Sequence, residues 1–231
     1  ISHSADFDEG FIEKRYRFYL NNAGYADSLV GAIIEAIREK GLFNDSLIIV
    51  ASDHGEAFGE HGLLGHINSN YQEMIHVPFL VKMPQRRRPM TVDVPCCHLD
   101  LLPSLAALVN IPFNPNWQGS PLLFNADLAG GEQRSIYSRA VGEGFNMALF
   151  NLHHKYLFFF GRDELYDLGA DGAEQNNLSA KDIFLNLYLK QQLFRQLIRS
   201  LDLKQRLNIQ PRQGNETYPK MIKELKTLGY L

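Results

Sequence analysis

The chain has 231 residues, a formal net charge of −3 and 45% hydrophobic residues, enough to bury a core in one large domain or in a domain with a small satellite. Charges of both signs are interspersed, which argues against a nucleic-acid binder held by phosphate contacts. No apolar run reaches the roughly eighteen residues of a membrane span, and the two cysteines, Cys96 and Cys97, are adjacent, which gives neither a disulfide framework nor a CxxC metal site.

Residues 1 to 10 are polar and aperiodic. From Phe11 to Lys40, apolar residues including Phe18, Tyr25, Leu29, Ile33 and Ile37 recur at three- and four-residue steps and predict an amphipathic helix. Gly24 and Gly31 weaken it, a kink is expected near Asn21-Asn22, and Lys40-Gly41 supplies a C-terminus. Leu47 to Ala51 is a short β-branched run that reads as a buried parallel strand. It stops at Ser52-Asp53-His54-Gly55-Glu56. In open α/β sheets, ligand sites lie just beyond the carboxyl ends of strands, so Asp53 and His54 stand where chemistry is expected. An adjacent carboxylate and imidazole can share one divalent cation. Read alone, the same pair also fits a plain strand-end cap.

Tyr71 to Ile75 predicts a short helical turn, and His76 to Lys82 a second strand with proline at its start. Arg86-Arg87-Arg88, between Pro84 and Pro89, reads as a solvated loop. Leu99 to Val109 predicts a helix with Asp100 in its first turn, favourable to the helix dipole. Residues 112 to 134 are rich in proline, asparagine and glycine, and a boundary is expected near Asp127 to Gln133, giving domains of residues 1–126 and 127–231. Beyond it the period switches to two. Ser135 to Val141, Phe145 to Leu152 and Lys155 to Phe160 predict antiparallel strands, with a hairpin connection at Asn151 to His154. Residues 181 to 201 predict an amphipathic helix.

Several segments together resemble the sulfatase family of the alkaline-phosphatase superfamily. They are Ser52-Asp53-His54-Gly55-Glu56, then Gly59-Glu60-His61-Gly62, then a polar residue, His66, thirteen positions after Asp53, then Tyr71-Gln72-Glu73 and Val77-Pro78. Further matches follow at His98 to Leu108, at Ile111-Pro112 and at Trp117 to Leu122. The run Glu164-Leu165-Tyr166-Asp167-Leu168 with Asp171, Glu174 and Asn176-Asn177-Leu178 is very like the family's C-terminal signature, and Leu225-Lys226 with Leu228 to Leu231 is like its ending.

The resemblance implies an α/β fold: the C-terminal part of an alkaline-phosphatase-like sandwich plus a small subdomain of antiparallel strands and a helix. It implies metal-dependent hydrolysis of sulfate esters. Asp53 and His54 would be metal ligands for one divalent cation (calcium, manganese or zinc), and His66 the catalytic group that meets the ester and its leaving oxygen. The imidazole at position 54 leans toward a transition metal, since calcium prefers oxygen ligands. In the family the nucleophile lies in a Cys/Ser-x-Pro-x-Arg segment, its cysteine oxidised to formylglycine. No such segment occurs in these 231 residues, so formylglycine is expected upstream. The expected partners are a small-molecule or glycan sulfate ester and an N-terminal part of the same protein, with no nucleic acid and no membrane span. A periplasmic or secreted location is expected by analogy. His66 occupies a slot where sulfatases often hold lysine and phosphoethanolamine transferases hold histidine. Phosphonoester or phosphodiester hydrolysis, phosphoethanolamine transfer and a non-catalytic binding domain therefore stay open beside sulfate hydrolysis. His61 is expected to pack the loop, and His98, His153 and His154 to be structural.

Overall fold

The computed structural model describes residues 7–85, 89, 91, 93–122, 134–140, 146–159, 162–209, 223 and 226–227. The chain forms two compact units, Ile1–Met90 and Thr91–Leu231. The arginine cluster at 86–88, the boundary expected near Asp127 to Gln133 and the ending at 228–231 lie outside the described residues.

The first unit opens with α1 (Glu9–Glu39). Its first turn carries Glu9, and the backbone N–H groups of Phe11 and Ile12 both donate to the Asp8 carbonyl. Arg38 lies in the last turn and Gly41 follows with φ +70°, so acid leads and base trails as the helix dipole favours. The helix runs unbroken through Asn21-Asn22, where a kink was expected. Each interior glycine costs only about 1 kcal/mol relative to alanine, which thirty-one residues of otherwise ordinary helix formers absorb. No described residue of α1 is buried. Tyr16 and Tyr19 pack edge-on against Phe58 at 5.1 and 5.2 Å, whereas Phe18, Tyr25 and Ile33 are exposed.

β1 (Ile48–Ala51) pairs with β4 (Phe79–Lys82), from Ile48 opposite Lys82 to Ala51 opposite Phe79. The pairing is antiparallel and the residues of β1 are half-buried or exposed, which corrects the expected buried parallel strand. An apolar run tells how much of a strand suits burial. It does not tell which way the neighbour runs. Lys82 fastens the far end of this ribbon: its ammonium donates to the carbonyls of Phe43, Asn44 and Ser46 and lies over the Phe43 ring. Between the two strands lie β2 (Ala57–Phe58), a 3-10 turn at Glu60–Gly62, β3 (Leu64–Gly65) and α2 (Gln72–Ile75). β2 and β3 form a tight antiparallel pair.

In the second unit, a 3-10 turn at His98–Asp100 leads into α3 (Leu101–Leu108). The turn and α3 lie within the expected helix but for its first residue, and Asn110 after it takes φ +56°. Asp100 is fully buried. Its carboxylate accepts from the backbone N–H of Cys97 (2.7 Å) and of Ser120 (2.9 Å) and from the Arg134 guanidinium. Burial, and then this carboxylate, raise both thiols, that of Cys97 to about 11. Four strands follow as a meander: β5 (Ile136–Ala140), β6 (Asn146–Phe150), β7 (His154–Phe159) and β8 (Arg162–Asp167). The turn before β7 forms as expected, the Asn151 side chain accepting from the N–H groups of His153 and His154.

α4 (Ile183–Arg206) starts with the Asp182 carboxylate accepting from the Leu185 N–H at 3.0 Å. Alternate strand residues Met147, Leu149, Tyr156, Phe158 and Leu165 meet Leu189, Leu193, Phe194 and Leu197 of the helix to form the core. Among the described residues, no helix is long and apolar enough to cross a membrane.

Candidate active site

The segment after β1 is held by backbone. The Gly55 N–H donates to the Met74 carbonyl at 2.8 Å. A Cβ at Gly55 would sit 1.9 Å from the Glu73 carbonyl oxygen, so any side chain there would push the loop off α2. Gly59 turns the chain at φ +109°, a conformation open to glycine. These contacts fix the backbone from which Asp53, His54 and Glu56 project.

Asp53 presents its carboxylate outward, with the side chain 89% exposed. Among the described residues it accepts one hydrogen bond, from the N–H of the next residue at 3.0 Å. His54 Nδ1 lies 2.8 Å from the Gly55 carbonyl. A carbonyl only accepts, so Nδ1 carries the proton and Nε2 keeps its lone pair in the neutral ring. That Nε2 lies 3.7 Å from Asp53 Oδ2. Two ligand atoms each about 2.0–2.2 Å from one cation can be no more than about 4.4 Å apart, so the two donors fit one ion. The lone pair at Nε2 and the backbone acceptor at Nδ1 are also the arrangement that metal-bound imidazoles adopt.

His66, from the end of the β2–β3 pair, stacks on His54 with ring centroids 5.6 Å apart. The three residues singled out from the sequence thus share one face of one loop. Glu56, quoted as part of a motif and given no role, joins them: its Oε2 is 3.3 Å from His66 Nδ1 and its Oε1 is 3.5 Å from Arg15 Nη2 on α1. The signal that could have found it is the carboxylate two positions after His54 in a loop doubling back to His66. His61 packs the loop as expected. Its Nδ1 is 2.9 Å from Glu73 and its ring lies flat on Tyr71 at 3.7 Å.

A family model described as Sulfatase matches residues 3–111. The uncharacterized sulfatase YidJ of Escherichia coli (strain K12) is 33% identical over 188 residues, covering 74% of this chain. The chain belongs to the sulfatase family. Arylsulfatase K of Bos taurus is 28% identical over 190 residues, covering 76% of this chain. The sulfatase-family chain spans 35% of the length of each of these relatives. Among solved structures, the phosphonate monoester hydrolase SpPMH from Silicibacter pomeroyi is similar with a TM-score of 0.71 at 20% identity, over 86% of this chain and 44% of that one. The likeness to it is one of fold, the α/β fold of the alkaline-phosphatase superfamily.

Proposed function

We propose that this sulfatase-family chain supplies the cation-binding and leaving-group side of an active site that hydrolyses sulfate esters of small molecules or glycans. Asp53 and His54 hold one divalent cation, and His66 meets the ester and hands a proton to the leaving oxygen. The observation that carries this reading is the gathering of an exposed Asp53 carboxylate, a His54 Nε2 lone pair and the His66 ring on one face of the loop after β1. When bound, the cation neutralises charge at the group being transferred. The residues' own work is separate. Asp53 contributes an anionic oxygen, His54 a nitrogen whose orientation Gly55 fixes, and His66 a protonatable ring close beside them. The nucleophile, formylglycine by the family resemblance, and the remaining ligands belong to a part of the protein outside these 231 residues.

The test is Asp53→Ala in the complete enzyme, assayed on an aryl sulfate, with bound metal measured alongside. Turnover falls at least about a hundredfold, beyond what loss of a group behind the ligands costs. Unchanged turnover overturns the reading. No bound metal in the native complete protein would favour a non-catalytic binding domain instead. His66, a histidine where sulfatases often hold lysine, favours a second reading on the same scaffold, transfer or hydrolysis at phosphorus. Turnover on a sulfate monoester set against a phosphodiester separates the two.

A further inference from the structure

We infer that Glu56 is the positioning residue for His66, and that Arg15 from α1 holds Glu56 in place for it. The inference rests on the reading of His66 as the group that meets the ester. Glu56 is only 17% exposed, while His66 is 69% exposed. A ring that open would turn about its side-chain torsions if nothing held an edge of it. Glu56 Oε2 faces Nδ1 at 3.3 Å, a long hydrogen bond of the kind that catalytic pairs show before substrate arrives. A carboxylate offers acceptors only, so the nitrogen facing it carries the proton. This selects the Nδ1–H tautomer of the neutral ring and leaves Nε2 as the nitrogen that takes up the proton His66 then hands to the leaving oxygen, the logic by which a buried carboxylate orients a catalytic imidazole.

Glu56 is itself fixed from both sides along the chain and from across the loop. Gly55 before it is bonded to Met74, and Ala57 after it is fully buried. Its second oxygen faces Arg15 at 3.5 Å. Gly65, at φ +84°, lies beside that meeting: a Cβ there would rest in ordinary contact, 3.5 Å from Arg15 Nη2 and 3.7 Å from Glu56 Oε1. The other histidine–glutamate pair of the loop shows what a purely structural version looks like. His61 and Glu73 are both 11% exposed, and Tyr71 covers the ring.

The experiment is long-range proton–nitrogen NMR on the full 231-residue chain in mildly alkaline solution. His66 shows the Nδ1–H tautomer. Glu56→Gln keeps it, because the amide oxygen accepts from the same N–H, and Glu56→Ala gives it up for the Nε2–H form that unconstrained histidine prefers. An Nε2–H ring in the wild-type chain, or an Nδ1–H ring surviving in Glu56→Ala, overturns the inference. In the complete enzyme, Glu56→Ala lowers kcat about tenfold or more with KM little changed, and Glu56→Gln restores most of it. Full kcat in Glu56→Ala overturns the inference as well. If His66→Ala leaves turnover untouched, the functional reading fails while the tautomer result still stands, so the two failures are distinguishable.

Discussion

Two segments of the sulfatase resemblance use the same residue types in opposite ways. In residues 164–178 every quoted acid and amide whose partners are described is occupied. The Asp167 carboxylate accepts from the N–H groups of Gly169 and Ala170, Asp171 from those of Gln175 and Asn176, and Asn177 from those of Leu165 and Ser179. Glu174 is fully buried against the equally buried ammonium of Lys155 at 2.7 Å. In residues 52–66 the Asp53 carboxylate stands in solvent and accepts from the N–H of its own neighbour, and a His54 nitrogen keeps its lone pair. A signature whose polar groups bond to the fold is there to build it. One whose polar groups point outward from a fixed backbone has groups to offer a ligand, as proposed above.

The largest effect that would sharpen this contrast is functional loss without structural loss. Asp53→Ala removes at least about a hundredfold of the complete enzyme's turnover, as above. Because its side chain touches little else, chemical denaturation of the 231-residue chain moves by no more than about 0.5 kcal/mol. A large stability loss would place Asp53 with the builders. Lys155→Met does the reverse. It strands the Glu174 charge in the interior, which costs about 3–5 kcal/mol, and urea unfolding reads it directly. Replacing both partners by apolar residues of similar volume recovers much of that loss. Asp171→Ala comes next, at about 0.5–1.5 kcal/mol, since two exposed backbone donors exchange their acceptor for water. An unchanged midpoint in Asp171→Ala would mean water serves those donors equally well.

Local patterns were legible and long-range ones were not. The period-two runs at 145–152 and 155–160 and the helical recurrence of Leu193, Phe194 and Leu197 marked strands and a helix of the second unit, whereas Phe184, Leu187 and Tyr188, read on the same helical face, are exposed. Asp53, His54 and His66 were singled out through the sulfatase resemblance, whose matching residues lie close together in sequence, and the fold sets their side chains near one another. The direction of β1 against β4 was not, because direction is decided by how residues 52–78 double back. Asp100 read as a dipole partner of its own helix and proves to be a buried acceptor for Ser120 and Arg134, twenty and thirty-four positions on. Arg15 reaching Glu56 across forty-one positions had no sequence signal at all.

The smallest effect concerns the two thiols, groups that belong to neither signature. Burial, then the Asp100 charge, keep Cys97 protonated up to about 11, against an ordinary 9.0. The unfolded chain releases that proton near 9.0, while the folded chain still binds it. Over this window the unfolded state therefore holds fewer protons, and stability falls as pH rises. The contribution is complete below 9.0 and is lost as the pH passes through about 11. Denaturation midpoints measured at pH 8 and pH 10.5 show the drop, and Cys97→Ser, with no thiol to titrate, shows a smaller one. At pH 8 a thiol reagent modifies Cys97 more slowly in the folded chain than in the unfolded one. Equal rates would mean that the segment before α3 opens readily, and Asp100 with its partners would then be a weaker clasp than its burial implies.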